Sequence, residues 1–234
     1  MSNFMAEFLG TLILIWLGDG VVASVSLNKS KGKDGGWIVV TVAWGLAVAI
    51  PAYIFTGISG AHINPAVTIA NAVVGNLAWS QVPSYVAAQM LGGIVGGALV
   101  WLTYLPHWEV TEDKAAKLGV FCTAPAIRNT GANFLCEFLG TALLVFGLMG
   151  LGQAEMVAGI GAFAAGLLIV VIGLSLGGPT GYAINPARDL GPRIAHAILP
   201  IAGKGDSDWG YSWIPVLGPI VGGIAGALLF VSVF

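Results

Sequence analysis

Ser59-Gly60-Ala61-His62-Ile63-Asn64-Pro65-Ala66 and Pro179-Thr180-Gly181-Tyr182-Ala183-Ile184-Asn185-Pro186-Ala187 end on the same tripeptide, Asn-Pro-Ala. The tripeptide is a helix start. Asn is a favoured N-cap, and Pro is pre-organised for the first helical position. A short apolar stretch follows each copy, about Pro65–Leu77 and Pro186–Leu199. At about 1.5 Å per residue each reaches roughly 20 Å. That is well short of the roughly 30 Å hydrocarbon core of a bilayer. Each copy therefore predicts a half-spanning helix that begins where a membrane protein would normally run a continuous span.

Composition requires the membrane. The chain is 57% hydrophobic and only 9% charged, and its mean hydropathy is +0.89. Soluble domains carry about 25% charged residues, so too little charge remains here to cover a water-facing surface. The net charge of -2 argues against nucleic acid as a partner. Cys122 and Cys136 have no metal-ligand spacing and read as small core residues. The first apolar segment carries Glu7 and Asp19 and has no basic stretch before it. It reads as a retained span, not a cleaved signal peptide. Asn28-Lys29-Ser30 fits a glycosylation sequon and is read as a chance match.

Six segments are long enough to cross: about Phe4–Leu27, Trp37–Gly57, Val82–Leu105, Ala132–Gly150, Met156–Leu176 and Trp213–Phe234. The halves repeat. Ala6-Glu7-Phe8-Leu9-Gly10-Thr11 returns as Cys136-Glu137-Phe138-Leu139-Gly140-Thr141, and Asn-Pro-Ala returns after it. Leu91-Gly92-Gly93-Ile94-Val95-Gly96-Gly97 returns as Leu217-Gly218-Pro219-Ile220-Val221-Gly222-Gly223. Ordered matches of this kind indicate duplication. The expected organisation is a single channel domain over 1–234, with a first repeat 1–105, a connecting loop 106–130 and a second repeat 131–234. Three spans per half is an odd number, so the second half enters the membrane inverted. The expected fold is all-α: six transmembrane helices and two half-spanning helices that meet near the midplane by their N-termini. Irregular backbone at that depth is tolerated only in protein or beside a wet cavity. A water-accessible path past Asn64 and Asn185 follows.

Ser59-Gly60-Ala61-His62-Ile63-Asn64-Pro65-Ala66-Val67-Thr68 and Gly181-Tyr182-Ala183-Ile184-Asn185-Pro186-Ala187-Arg188-Asp189-Leu190-Gly191-Pro192, on six spans with Glu7 and Glu137 in the first and fourth, resemble the aquaporin superfamily. Asp189 and Gly173 resemble its glycerol-facilitator branch. The resemblance covers nearly the whole chain. It implies a passive channel for glycerol, water and similar small neutral solutes in the cell membrane. It also implies a homotetramer with one pore per subunit, both termini in the cytoplasm, no cofactor, no metal and no enzyme activity.

Chemistry and resemblance together assign the residues. An N-cap oxygen on Asn64 or Asn185 is held by its own helix, which leaves the amide NH₂ to donate to a passing oxygen. Two positive helix ends behind these donors repel cations, a property general to aquaporin-type pores. By resemblance, Trp44, Gly173, Tyr182 and Arg188 form the selectivity filter. Two aromatic faces carry carbon, Arg188 donates to hydroxyls, and Gly173 leaves room for a three-carbon polyol. Tyr182 departs from the Phe of the best-known glycerol facilitators. The carbonyls of Gly60, Ala61, His62, Ile63, Gly181, Tyr182, Ala183 and Ile184 are expected to form an acceptor ladder, with Pro65, Ala66, Pro186 and Ala187 completing the central motifs. Glu7 and Glu137 are read as braces for the loops, and Asp189 as a partner for loop backbone. Asp19 fits none of these roles. The glycine pairs Gly92/Gly96, Gly93/Gly97 and Gly222/Gly226 read as packing seams.

Two observations oppose parts of this reading. The family orientation puts Lys29, Lys31, Lys33, Lys114, Lys117, Arg128 and Lys204 outside, against the positive-inside rule. Inverted repeats with broken helices also build secondary transporters. Ion-coupled transporters usually place acids beside the midplane site, whereas this chain has Asn there. An intramembrane enzyme is disfavoured because no nucleophile-base pair or metal triad stands at workable spacing.

Overall fold

A computed structural model describes residues 1–234. It contains helices α1 (Asn3–Ser26), α2 (Trp37–Ser59), α3 (Pro65–Val73), α4 (Val82–Thr103), α5 (His107–Val110), α6 (Lys114–Phe121), α7 (Thr130–Gln153), α8 (Ile160–Leu176), α9 (Pro186–Ile198) and α10 (Ile214–Val233). A single 3₁₀ turn, Trp79–Gln81, leads into α4. There is no strand.

Five helices, α1, α2, α4 with its leading turn, α7 and α10, are long and apolar enough to cross a membrane. The expected fifth span is shorter than its sequence suggests. It starts at Ile160 rather than Met156, because Gly159 takes a left-handed conformation (φ 90°) just before it. The first half-helix also stops early, at Val73 rather than Leu77. The connecting segment, expected as loop, folds into the short α5 and α6. Asp113 caps α6 by accepting from Ala115 N and Ala116 N.

Glycine lets the helix pairs close. A Cβ at Gly92 would stand 2.4 Å from the Phe8 carbonyl oxygen, which seats α4 on α1. A Cβ at Gly222 or Gly226 would stand 2.2 Å from the carbonyl oxygens of Phe138 and Ala142, which seats α10 on α7. Neighbouring glycines hold the half-helices. Gly93 on α4 meets the Ala187 carbonyl of α9, where a Cβ would come within 2.6 Å. Gly223 on α10 meets the Ala66 carbonyl of α3, at 3.2 Å. Each half-helix thus rests on the last span of the opposite half. Leu46, Ile50, Leu139, Leu143 and Leu229 point outward, as side chains do when the surrounding solvent is lipid.

The loops at the C-terminal end of α1 and around α5, α6 and the 199–213 segment lie together. Asn28 N donates to Thr111 Oγ1 at 2.9 Å, and Lys117 Nζ donates to the Ala202 carbonyl. Lys204 Nζ caps the C-terminal end of α9, donating to the carbonyls of His196, Ala197 and Leu199 at 2.5, 2.8 and 2.7 Å. Burial pushes the ammonium groups of Lys204 and Lys117 below their ordinary pKa.

Candidate functional site

The site is built from two helix starts. Asn64 is extended (φ −159°, ψ 117°), and its Oδ1 accepts from Ala66 N at 2.9 Å. Asn185 is extended in the same way (φ −157°), and its Oδ1 accepts from Ala187 N at 3.0 Å and Arg188 N at 3.3 Å. The two caps are tied across the centre. Asn64 Nδ2 donates to the Ile184 carbonyl and Asn185 Nδ2 to the Ile63 carbonyl, both at 2.8 Å. The N-termini of α3 and α9 therefore face each other.

This pairing revises two expectations. Each amide NH₂ has one hydrogen engaged, so one remains for a solute rather than two. The carbonyls of Ile63 and Ile184 already accept one bond each, so they are not unpaired rungs of the ladder.

The approach to each cap is a left-handed zigzag. Gly60, Ala61 and Ile63 have φ of 83°, 47° and 43°; Gly181, Tyr182 and Ile184 have 82°, 39° and 43°. Such angles are costly for residues with a Cβ and persist only where the surroundings enforce them. A buried glutamate does so on each side. Glu7 Oε1 accepts from Ser59 Oγ at 2.6 Å and His62 N at 2.9 Å, and its Oε2 accepts from Ile63 N at 2.7 Å and Gln89 Nε2 at 2.8 Å. Glu137 Oε1 accepts from Thr180 Oγ1 at 2.7 Å and Ala183 N at 3.0 Å, and its Oε2 from Ile184 N at 2.8 Å. His62 lies in this network, with Nδ1 3.2 Å from Thr68 Oγ1.

A second cluster stands on the Arg188 side. The Arg188 guanidinium lies over the Trp44 ring, 4.2 Å from its centroid. The Tyr182 ring lies against α8, where a Cβ at Gly173 would be 2.7 Å from Tyr182 Cζ and one at Gly177 2.5 Å from Cδ1. Trp37 closes the other edge, with its ring 5.6 Å from that of Tyr182 and its Nε1 donating to the Gly173 carbonyl at 3.0 Å. The Tyr182 hydroxyl is buried and has no protein partner. The space over Gly173 is thus occupied by Tyr182, not left open for a solute.

A cavity of about 860 Å³ joins the two clusters. It runs from Trp44, Tyr182 and Arg188 past Asn64 and Asn185 to a mouth at Asn76, Gln153 and Gly159. The segments Gly60–Asn64 and Tyr182–Asn185 line it, and Leu14, Val48, Leu144, Leu148 and Ile169 contribute its apolar surface. Gly173 and Gly181, expected along the path, do not line it. No cluster of His, Cys, Asp and Glu could hold a metal ion.

Several residues at the site were not singled out from sequence. Arg193 is fully buried and donates from Nε to Asp189 Oδ1 at 2.9 Å, from Nη1 to the Ser207 carbonyl at 2.8 Å and from Nη2 to the Thr123 carbonyl at 3.0 Å. Asp189 Oδ2 accepts from Thr123 N and Thr123 Oγ1, both at 2.7 Å. The pair therefore pins the connecting segment behind Arg188. Asp19, without a role in the sequence, meets Arg188 Nη1 through its Oδ1 at 3.3 Å. A lone acid in an apolar span was the available signal, but its partner lies 169 residues away.

The family model described as Major intrinsic protein matches residues 1–230. A probable glycerol uptake facilitator protein of Thermotoga maritima is 61% identical over 230 residues, covering 98% of each chain. Glycerol uptake facilitator protein 3 of Lactiplantibacillus plantarum is 57% identical over 228 residues, covering 97% of this chain and 95% of that protein. Among solved structures, the X-ray structure of the aquaglyceroporin from Plasmodium falciparum superposes with a TM-score of 0.87 at 29% identity, covering 97% of this chain and 94% of that one.

Proposed function

The chain belongs to the Major intrinsic protein family, and from that premise we propose that it is a passive channel for glycerol, water and similar small neutral solutes. It is a multi-pass integral membrane protein and not an enzyme. The observation that carries the reading is the mixed lining of the cavity. The Gly60–Asn64 and Tyr182–Asn185 segments, with the Asn64 and Asn185 amides, line it together with the apolar side chains of Leu14, Val48, Leu144, Leu148 and Ile169. A polyol has hydroxyls and a carbon backbone, and this lining meets both at once.

In this reading Trp44, Tyr182 and Arg188 form the filter, and Gly173 acts by seating Tyr182. The Trp44 and Tyr182 faces carry carbon while the free N–H groups of Arg188 bind hydroxyls. Asn64 and Asn185 orient the solute at the centre. With two helix N-termini facing the same point, cations are repelled and proton relay is interrupted. Glu7 and Glu137 hold the loop carbonyls in place, and Asp189 anchors the segment behind the filter.

The channel is a single domain of inverted repeats, 1–105 and 131–234, joined by 106–130. It sits in the cell membrane with both termini cytoplasmic and assembles as a homotetramer. The tied cations support this orientation against the positive-inside rule. Lys33 donates to the Ser26 carbonyl, Lys117 and Lys204 to carbonyls of the neighbouring loops, and Arg128 pairs with Asp208 at 2.5 Å. These charges serve the loop structure on that face.

Stopped-flow swelling of proteoliposomes in glycerol, urea and water gradients tests the function. Glycerol flux should be non-saturating and indifferent to proton or sodium gradients. Saturable uptake that needs such a gradient would identify a transporter instead. Labelling of a cysteine placed at Lys31 in intact cells tests the orientation.

A further inference from the structure

We propose that Asp19 is the counter-ion of the filter, a specificity-determining residue that holds Arg188 in place and cancels its charge inside the pore. The proposal rests on the filter reading above and adds the acid that governs it. Asp19 is fully buried, and Arg188 is 7% exposed. Apart from its contact with Asp19, the Arg188 guanidinium donates to no protein group. The Thr123 carbonyl of the connecting segment accepts from Arg193, not from Arg188. Asp19 Oδ2 has no protein partner at all. A buried carboxylate with one long contact is rare unless its charge is used.

The residue before it supports the same assignment. A Cβ at Gly18 would lie 2.3 Å from the Trp44 ring, so Gly18 is where that ring leans on α1. Gly18 and Asp19 therefore seat both members of the Trp44–Arg188 stack, one by absence and one by charge. The equivalent of Asp19 in the second repeat is Met149, so the carboxylate is confined to the half that faces the arginine. With the pair intact, the constriction presents N–H donors to a solute without a net charge. With the arginine removed, it presents a buried carboxyl group that no cation balances and that can take up and release a proton.

The test is a double-mutant cycle in proteoliposomes, measuring proton and potassium leak beside glycerol flux. Arg188→Ala should leak cations roughly tenfold faster than the parent, the size of a coupling of about 1.4 kcal/mol. Adding Asp19→Asn to Arg188→Ala should bring the leak back to near the parent value. Asp19→Asn alone should keep cations out but make glycerol flux slow several-fold in thiocyanate, which binds the unpaired guanidinium. Circular dichroism and the melting temperature of each purified variant report a folded pore. A double variant as leaky as Arg188→Ala, or an Asp19→Asn channel indifferent to thiocyanate, overturns the assignment to Asp19 and leaves the filter reading standing. An Arg188→Ala channel as tight as the parent overturns both. A parent protein that passes no glycerol overturns the filter reading itself.

Discussion

The ring of Tyr182 fills the space that a side chain on Gly173 would need, with Tyr182 Cζ 2.7 Å from where a Cβ would stand. Gly173 shapes the filter through its neighbour, because it is the floor on which the aromatic ring lies. The two positions must be read as one unit, and substitutions at them should not be additive.

Gly173→Ala is the smallest probe of this unit. The methyl group forces the Tyr182 ring off α8 and toward the cavity. Glycerol flux in proteoliposomes should fall by roughly tenfold, and water flux by less, as expected for a coupling near 1–2 kcal/mol between contacting residues. Combining Gly173→Ala with Tyr182→Ala should restore most glycerol flux. If the double variant is as slow as the single one, the ring is not the obstacle.

Tyr182→Phe removes only a hydroxyl that has no protein partner. Removing an unsatisfied buried polar group costs little or is stabilising. Thermal unfolding in detergent should be unchanged or slightly raised, within about 0.5 kcal/mol. Glycerol flux should persist, because the ring face remains. A large loss of flux would mean that the hydroxyl contacts the solute directly.

Glu7→Gln and Glu137→Gln each replace a charged acceptor of several N–H and O–H groups. Hydrogen bonds to a charged group contribute roughly 1.5–3 kcal/mol each, and here they also restrain left-handed residues. Either variant should lower stability by about 2 kcal/mol or more, measured as the melting temperature of the purified protein. Glu7→Gln should cost more, since Glu7 accepts from Ser59, His62, Ile63 and Gln89, and Glu137 only from Thr180, Ala183 and Ile184. Equal effects would argue against this ranking.

Arg193→Leu strands the Asp189 carboxylate, which is fully buried. Breaking one partner of a buried ion pair costs about 3–5 kcal/mol, mostly from the charge left behind. The variant should be produced poorly and melt early. Adding Asp189→Asn should recover part of the loss. No recovery would mean that the bonds from Arg193 to the Ser207 and Thr123 carbonyls dominate.

The half-helices were legible because their signal is local. An Asn followed by Pro announces a cap without reference to the rest of the chain, and both caps lie where the tripeptides put them. The seams at Gly92, Gly96, Gly222 and Gly226 were legible for a similar reason, since small residues at helical spacing have few other uses in lipid. Long-range partners were not. Nothing near Asp19 points to Arg188, and nothing near Asn64 says that its amide will meet Ile184. The early start expected for α8 failed because an apolar run from Met156 looks helical until Gly159 turns left-handed. The short α5 and α6 were missed because the segment 106–130 is too polar to stand out against loop.

The crossed support of the half-helices has a consequence for how the molecule is made. During synthesis α3 emerges early, but the surface that holds it, at Gly223 of α10, appears only after the nine other helices described above. The first half-helix must therefore wait, capped and held only by its earlier contacts such as Gln89 Nε2 to Thr68 Oγ1, until α10 has been made. A ribosome that stops before residue 214 leaves a protein with every filter residue made but only one of its two half-helices resting on its glycine seat.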